Sequence, residues 1–451
     1  MSAKDIDIII NQPKKAIIKL AVPLFICNLV ILLNSFIDSV WIANYSYDAI
    51  AAIGFASPLL VVLSGIANGL GAGSNSCISR YIGAKDYENA ENAAVHSMIV
   101  SFVISVISTV FLFITLKSFL LLIGAGEVIE DALNYGYIII LASCTIFIPA
   151  MMSAIFRAEY AIKRATYPLI FSTVINMILD PIFIFILNWG VMGAALATVV
   201  SSTIALILMV YWMFIRKDNF LKVEMKTYKR NLGIYKDIFI VGIPTSVEQF
   251  VIFVSAVLMN YWLEILSGAI AVAAYTSSWR LISVGFSPLV AIGGAVLTVA
   301  GAAYGGRNLN NFKTTLNYGL KLELISSIII WACLFIFAGP ISTLFAPANS
   351  ALSIKIISSL KILSFFMIFL PFTVITCNIF RSMGKGIISL ILTIFNSAFC
   401  ATFFTWLFGF GFKLGETGIF IGFTFGMSFG SIILYLFLTY YVKRHEKYFK
   451  Y

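Results

Sequence analysis

The sequence predicts an all-α polytopic membrane protein: twelve transmembrane helices in two parallel-repeat six-helix bundles around a central cavity. Three observations predict it. Apolar runs of about 20 residues recur from end to end, the basic residues between them favour one side, and one series of short motifs occurs twice in the same order.

The 451 residues are 61% hydrophobic and 11% charged, against roughly 45–50% and about 25% in soluble domains. A run of about 20 residues rising ~1.5 Å each crosses a hydrocarbon layer of ~30 Å. Such runs place helices at 16–43, 50–75, 92–116, 132–157, 166–188, 191–215, 237–263, 269–303, 316–345, 352–380, 386–410 and 417–442. The leading MSAKDIDIIINQPKKAIIKLAVPLF joins basic residues to an apolar run without a small-residue cleavage site, so the first helix is expected to remain as an anchor. Cys27, Cys77, Cys144, Cys333, Cys377 and Cys400 all fall in apolar runs without CxxC spacing. That pattern argues for buried thiols rather than disulfides or a metal site.

A net charge of +10 fits the bilayer and not nucleic acid, because the charge sits in the loops. Of the 30 Lys and Arg, 25 fall on the side of the N-terminus, in or beside the leading segment, the even-numbered loops and the trailing segment. The exceptions are Lys117, Lys355, Lys361 and Lys413 on the opposite side and Arg280 inside a helix. The positive-inside rule then puts both termini in the cytoplasm of a cell with this protein in its plasma membrane.

AVPLFICN, DAIAAIGFAS, RYIGAKD and AIFRAEYAIKRA in the first half return as GIPTSVEQ, GAIAVAAYTS, AYGGRN and NIFRSMGKG in the second. Pro23 matches Pro244, Gly83 matches Gly306 and Arg157 matches Arg381. Six helices per repeat make both halves run in the same direction, with the repeat axis along the membrane normal. The expected domains are an N-terminal lobe at 1–215, a basic cytoplasmic linker at 216–236 and a C-terminal lobe at 237–451. The linker carries seven basic residues, which suits the anionic inner leaflet.

The chain resembles the multidrug and toxic compound extrusion (MATE) family. The resemblance rests on IDSVWIANYSYDAIAAIGFASPL, SRYIGAKDYENA, FRAEYAIKRA, NMILDPIFIF and GVMGAALATVVSS, and it covers nearly the whole chain. It implies a secondary transporter that exports amphipathic, usually cationic, organic compounds in exchange for Na⁺ or H⁺ by rocking two six-helix lobes.

Intramembrane acids point to a site independently of that resemblance, since each costs about 2.5–3.5 kcal/mol on insertion scales. Asp38 and Asp180 have long apolar flanks, and Glu248 is a third candidate. Asp38 precedes Asn44 by six residues, about 9 Å, and Asp180 precedes Asn188 by eight, about 12 Å. Thr198, eight residues after Gly190, falls at a similar depth, and Asn176 shares a helix face with Asp180. Carboxylate, amide and hydroxyl oxygens suit a hard cation such as Na⁺, and Pro181 withdraws a hydrogen bond from the Met177 carbonyl. Asp38 has no acidic repeat partner: Met259 stands there, and Phe404 lies close to the position matching Asp180. The family resemblance implies the same roles for Asp38, Asn176, Asp180 and Thr198. It also places Asn34 where family members often carry Tyr.

Glu248 lies about 18 Å along its helix from Lys236, and Arg280 about 16 Å from Ala269, depths at which the two would meet as a pair or line the cavity. Lys361 and Glu323 are read as snorkelling towards headgroups. Pro23 and Pro244 occupy matching early positions and kink their helices, and the resemblance links the first of these prolines to bending. Forty Phe and 13 Met suit a cavity for flat hydrophobic cations, with Phe36, Tyr137, Met151 and Met152 as its expected lining.

Two other function classes compete with export. A flippase for lipid-linked sugars shares the ancestral fold but commonly carries more basic cavity residues. A membrane enzyme is disfavoured because His96 and His445 form no ligand pattern, and no GxxxxGK[ST] loop for ATP occurs. The expected protein is therefore a monomeric transporter with no cofactor beyond the coupling ion, whose partners are lipid and small amphipathic substrates.

Overall fold

The computed structural model describes Ile8 and residues 10–216, 219–224, 226, 228–347 and 350–449. The leading residues 1–7 of the anchor reading, and Lys217 of the linker, lie outside them. All the regular structure among the described residues is helical. In chain order the first half holds α1 (Pro13–Tyr45), α2 (Tyr47–Gly83), α3 (Tyr87–Leu122), α4 (Ile129–Leu141 and Cys144–Ala158), α5 (Ile162–Pro181) and α6 (Gly190–Val210). The second half holds α7 (Leu232–Ser267), α8 (Ala269–Gly305), α9 (Leu309–Ile336), α10 (Ala351–Leu363 and Leu370–Ser382), α11 (beginning Gly386–Thr393) and α12 (Gly415–Arg444). Among the described residues eleven helices are long and apolar enough to cross a membrane, or twelve if the two segments of α4, bent by 44°, count as one span.

The chain forms two compact units, Val22–Ser246 and Ile10–Ala21 with Val247–Tyr451. Each boundary falls inside a helix, one residue before Pro23 in α1 and two after Pro244 in α7.

The repeat is written into the turns of each unit. Lys85 and Arg307 both adopt left-handed backbone, with φ of 60° and 52°, as do Tyr160 and Gly384 (68° and 74°) and Asn188 and Lys413 (54° and 55°). In the first two pairs the next turn closes by the same i to i−5 bonds: Asp86 N–H to Tyr81 O and Asn308 N–H to Ala303 O at 3.0 and 2.9 Å, Ala161 N–H to Phe156 O and Lys385 N–H to Phe380 O at 2.7 and 2.9 Å. This left-handed helix ending satisfies carbonyls that would otherwise be orphaned. The side chains of Asp86 and Asn308 then cap α3 and α9 by accepting from Asn89 N–H and Asn311 N–H.

Within the first unit α2 and the start of α7 meet backbone to backbone. A Cβ at Gly69 would stand 2.6 Å from Ser246 N and 2.8 Å from Gly242 O, and one at Gly73 would stand 2.9 Å from Gly242 N. Lipid chains give no hydrophobic force between helices, so small residues spaced by four supply the contact through close van der Waals approach.

The loop between α6 and α7 is docked rather than a plain tether. Leu221 N–H donates to Glu159 Oε2 at 3.1 Å, Lys222 N–H to Glu91 at 3.0 Å, and Asn92 exchanges two hydrogen bonds with the Lys229 backbone. His96, fully buried in α3, accepts from Asn231 N–H at 3.3 Å and packs against Tyr228 and Tyr235.

Glu159 follows the last turn of α4, is 1% exposed, and has a second carboxyl oxygen without a hydrogen-bond partner. Burial pushes its carboxyl up to about 7, against smaller opposing pulls from Leu221 N–H and Arg164. The docked state therefore holds the proton more tightly than an undocked state of ordinary carboxyl pKa. Docking is unimpaired below about pH 4.5 and weakens as pH rises to about 7, by on the order of 3 kcal/mol at most. Trypsin cleavage in the 219–231 loop, compared between wild type and Glu159→Gln at each pH, should diverge from pH 5 to 7 and level off above. A constant ratio across that range would remove the role of this carboxyl.

All six cysteines are free thiols. Cys27, Cys77, Cys377 and Cys400 are buried, whereas Cys144 is half-buried and Cys333 exposed. Exposure on α9, a membrane-crossing helix, puts the Cys333 thiol on the surface and not in the core.

Candidate functional site

The acids singled out by depth come together in the first unit. On α1, Asn34 and Asp38 are four residues apart, and Asn34 Nδ2 donates to Asp38 Oδ2 at 2.8 Å. On α5, Asn176 and Asp180 repeat that spacing, with Asn176 Nδ2 donating to Asp180 Oδ1 at 3.2 Å. Asn34 Nδ2 also donates to Asn176 Oδ1 at 2.7 Å, which joins the two helices. The i,i+4 spacing stacks each amide one turn from its acid, so two like pairs face each other through one amide bridge. That bridge brings the carboxyls of Asp38 and Asp180 into one cluster. Like charges gathered in one low-dielectric cluster repel, an arrangement that suits a shared proton or a bound cation.

Local backbone explains why these side chains point inward. Pro181 lacks an N–H, and the chain directly after it widens into a π-helical turn, Ile182–Ile186, with Leu187 N–H bonded to Ile182 O at 2.9 Å. Gly193 of α6 packs on that turn, where a Cβ would stand 2.6 Å from Phe183 O. Asp180 and Asn176 are 2% and 5% exposed, whereas Asp38 and Asn34 are half-buried.

A hard cation would meet suitable donors here. Asn34 Oδ1 and Asp38 Oδ1 are buried without hydrogen-bond partners, which leaves two oxygens for a ligand or proton. Among the described residues no three His, Cys, Asp or Glu side chains converge as a metal site, so a cation would rest on two carboxylates and amide oxygens. Thr198 on α6 donates to Ala194 O of its own helix at 3.1 Å. Tyr135 on α4 was not singled out by the sequence. It is buried and lies within electrostatic range of both acids, but nothing in its sequence surroundings distinguishes it from the other 19 tyrosines.

The residues read as cavity lining fall in different surroundings. Met151 and Met152 are 1% and 0% exposed inside the first unit. Tyr137 packs on Phe113, ring centroids 4.8 Å apart, beside the cluster of Leu59, Leu116 and Ile140. Phe36 is half-buried on α1.

In the second unit Glu248 is paired with Arg381 and not with Arg280, which is exposed on α8. The long Arg381 side chain reaches inward from the last turn of α10 and also donates to Asn378 Oδ1 at 3.5 Å. The first unit holds the repeat counterpart: Cys27 matches Glu248 as Pro23 matches Pro244. Arg157 donates to Ser153 Oγ at 2.9 Å. Lys361 is exposed, with Nζ 5.3 Å from the centroid of the Phe335 ring. Glu323 does not snorkel. It is 0% exposed, and neither carboxyl oxygen has a hydrogen-bond partner, because α9 begins at Leu309 and carries it about 21 Å into the helix.

The sequence matches the family described as MatE over residues 23–182 and 244–407. It is 28% identical over 320 residues to a multidrug export protein, MepA, of Staphylococcus haemolyticus, covering 70% of this chain and 69% of that protein. A probable multidrug resistance protein, NorM, of Thermotoga maritima is 25% identical over 435 residues, covering 95% and 92%. A crystal structure of MATE in complex with MaL6 superposes with a TM-score of 0.96 at 32% identity, over 99% of this chain and 100% of that one.

Proposed function

The chain belongs to the MATE family of membrane transporters, and from that premise we propose that it is a secondary active exporter of amphipathic, cationic organic compounds. The driving ion is Na⁺ or H⁺, taken up at Asp38 and Asp180. One observation carries the reading: two acids within apolar helices, joined through Asn34 and Asn176, with unpartnered oxygens beside them.

Substrate enters from the cytoplasm, ion occupancy at the acids favours its release outside, and the lobes alternate between the two openings. Coupling is reciprocal: the ion weakens substrate binding by the same factor that substrate weakens ion binding. Each cation moving inward releases about 2.3 kcal/mol per 100 mV, which drives the export. The protein functions in the plasma membrane with both termini in the cytoplasm, consistent with the loop charges.

The test uses the purified full chain in liposomes loaded with a cationic dye, with a Na⁺ gradient and a pH gradient imposed separately. One gradient should accelerate dye movement over protein-free liposomes. Absence of acceleration under both, with intact reconstituted protein, would overturn the antiporter reading.

A further inference from the structure

At one end of the second unit, where α8, α10 and α12 finish, a cavity of about 130 Å³ opens among Tyr304, Lys385, Tyr441, His445, Tyr448 and Phe449. Its walls are aromatic: Tyr304 stacks on Tyr448 at 4.4 Å between centroids, and His445 on Tyr441 at 4.0 Å. Its charge is positive. The half-buried Lys385 donates to the Tyr441 hydroxyl and stands 5.0 Å from the centre of that ring. Arg307, held in left-handed backbone, lies over Tyr448 at 5.5 Å. Neither cation forms an ion pair with a described carboxylate. Glu446, the acid nearest in sequence to His445, is engaged by Lys313 at 2.6 Å.

We propose that this cavity binds the phosphate of an anionic phospholipid headgroup, with Lys385 as its principal charge partner and Arg307 and His445 at the rim. Tyrosines at the ends of membrane helices mark the interfacial layer where headgroups lie, and basic pockets between such helices suit acidic headgroups. A free phosphate would satisfy the same cations, but the cavity borders an apolar face that a lipid would use: Phe437, one turn before Tyr441 on α12, is 39% exposed, and its ring centroid lies 6.1 Å from that of Tyr441. Acyl chains against that face would hold the headgroup at the cavity mouth, whereas inorganic phosphate gains nothing from it.

Native mass spectrometry of the detergent-solubilised full chain would measure retention of phosphatidylglycerol, phosphatidylcholine and inorganic phosphate. Wild type should bind phosphatidylglycerol in preference to the other two. Combining Lys385→Gln with Arg307→Gln should weaken that binding at least fivefold, and Lys385→Arg should restore most of it in the single-site background. Lys163→Gln, the same charge change at an exposed residue of the first unit, should leave it unchanged. Equal retention of phosphatidylcholine, equal retention of inorganic phosphate, or undiminished phosphatidylglycerol binding in the double variant would each overturn the proposal. A double variant that fails to fold leaves Lys385→Gln against Lys385→Arg as the deciding pair, with a difference between them supporting the site and equality overturning it.

Discussion

Asp180→Asn is expected to reduce gradient-driven dye export by about 5–150-fold, the range set by coupling free energies of 1–3 kcal/mol. Asparagine preserves the shape of the side chain and its contact with Asn176, so helix packing should survive. What it removes is the negative charge, and with it one of the two facing acids proposed to take up the driving ion. Asp38→Asn should have the same direction of effect, because the proposed site uses both acids. Asn34→Ala separates charge from scaffold: it keeps both carboxyls and removes the amide that joins α1 to α5. Its predicted result is partial coupling, with a shifted dependence on Na⁺ or proton concentration. Coupled export that persists in both acid variants would refute the assignment of the driving site to this cluster. Dye binding measured alongside keeps the comparison sound, since a variant that binds dye normally and fails to export it has lost coupling and not its fold.

Depth was legible in the sequence and direction was not. Counting residues from Asn44 and Asn188 brought Asp38 and Asp180 to one level, and the spacing of four tied Asn176 to Asp180. The bridge by Asn34 was not legible, because rise along a helix fixes height while the facing of two helices depends on their packing. Thr198 illustrates the same gap: its depth is similar, but its hydroxyl bonds to its own helix. Glu323 was misread for a different reason. The expected helix began at 316, whereas capping by Asn308 starts α9 at Leu309 and turns a presumed end into an interior. The doubled motifs forecast more of the backbone than of the chemistry. Left-handed turns recur at Lys85 and Arg307 and at Tyr160 and Gly384, while the facing acids of the first unit have Met259 and the region of Phe404 as their counterparts.

The repeat does carry one charge position into both units, and there it yields the second large prediction. Arg157 and Arg381 end matching helices, but Arg157 donates to the Ser153 hydroxyl, whereas Arg381 pairs with the 2%-exposed Glu248. Removing one member of a buried ion pair leaves an uncompensated charge, at a cost of about 3–5 kcal/mol. Arg381→Met should therefore lower thermal stability far more than Arg157→Met, which strands no carboxylate. The double variant Glu248→Gln with Arg381→Met should recover most of the loss, because replacing a whole buried pair by uncharged groups is often close to neutral. Thermal unfolding of the four proteins in one detergent measures this directly. If the double variant is no more stable than Arg381→Met alone, the cost lies in lost packing of the guanidinium stem and the stranded charge is not its cause. Recovery would mean that the second unit needs Arg381 chiefly to neutralise Glu248, leaving the first unit as the one whose embedded acids face each other without a basic partner.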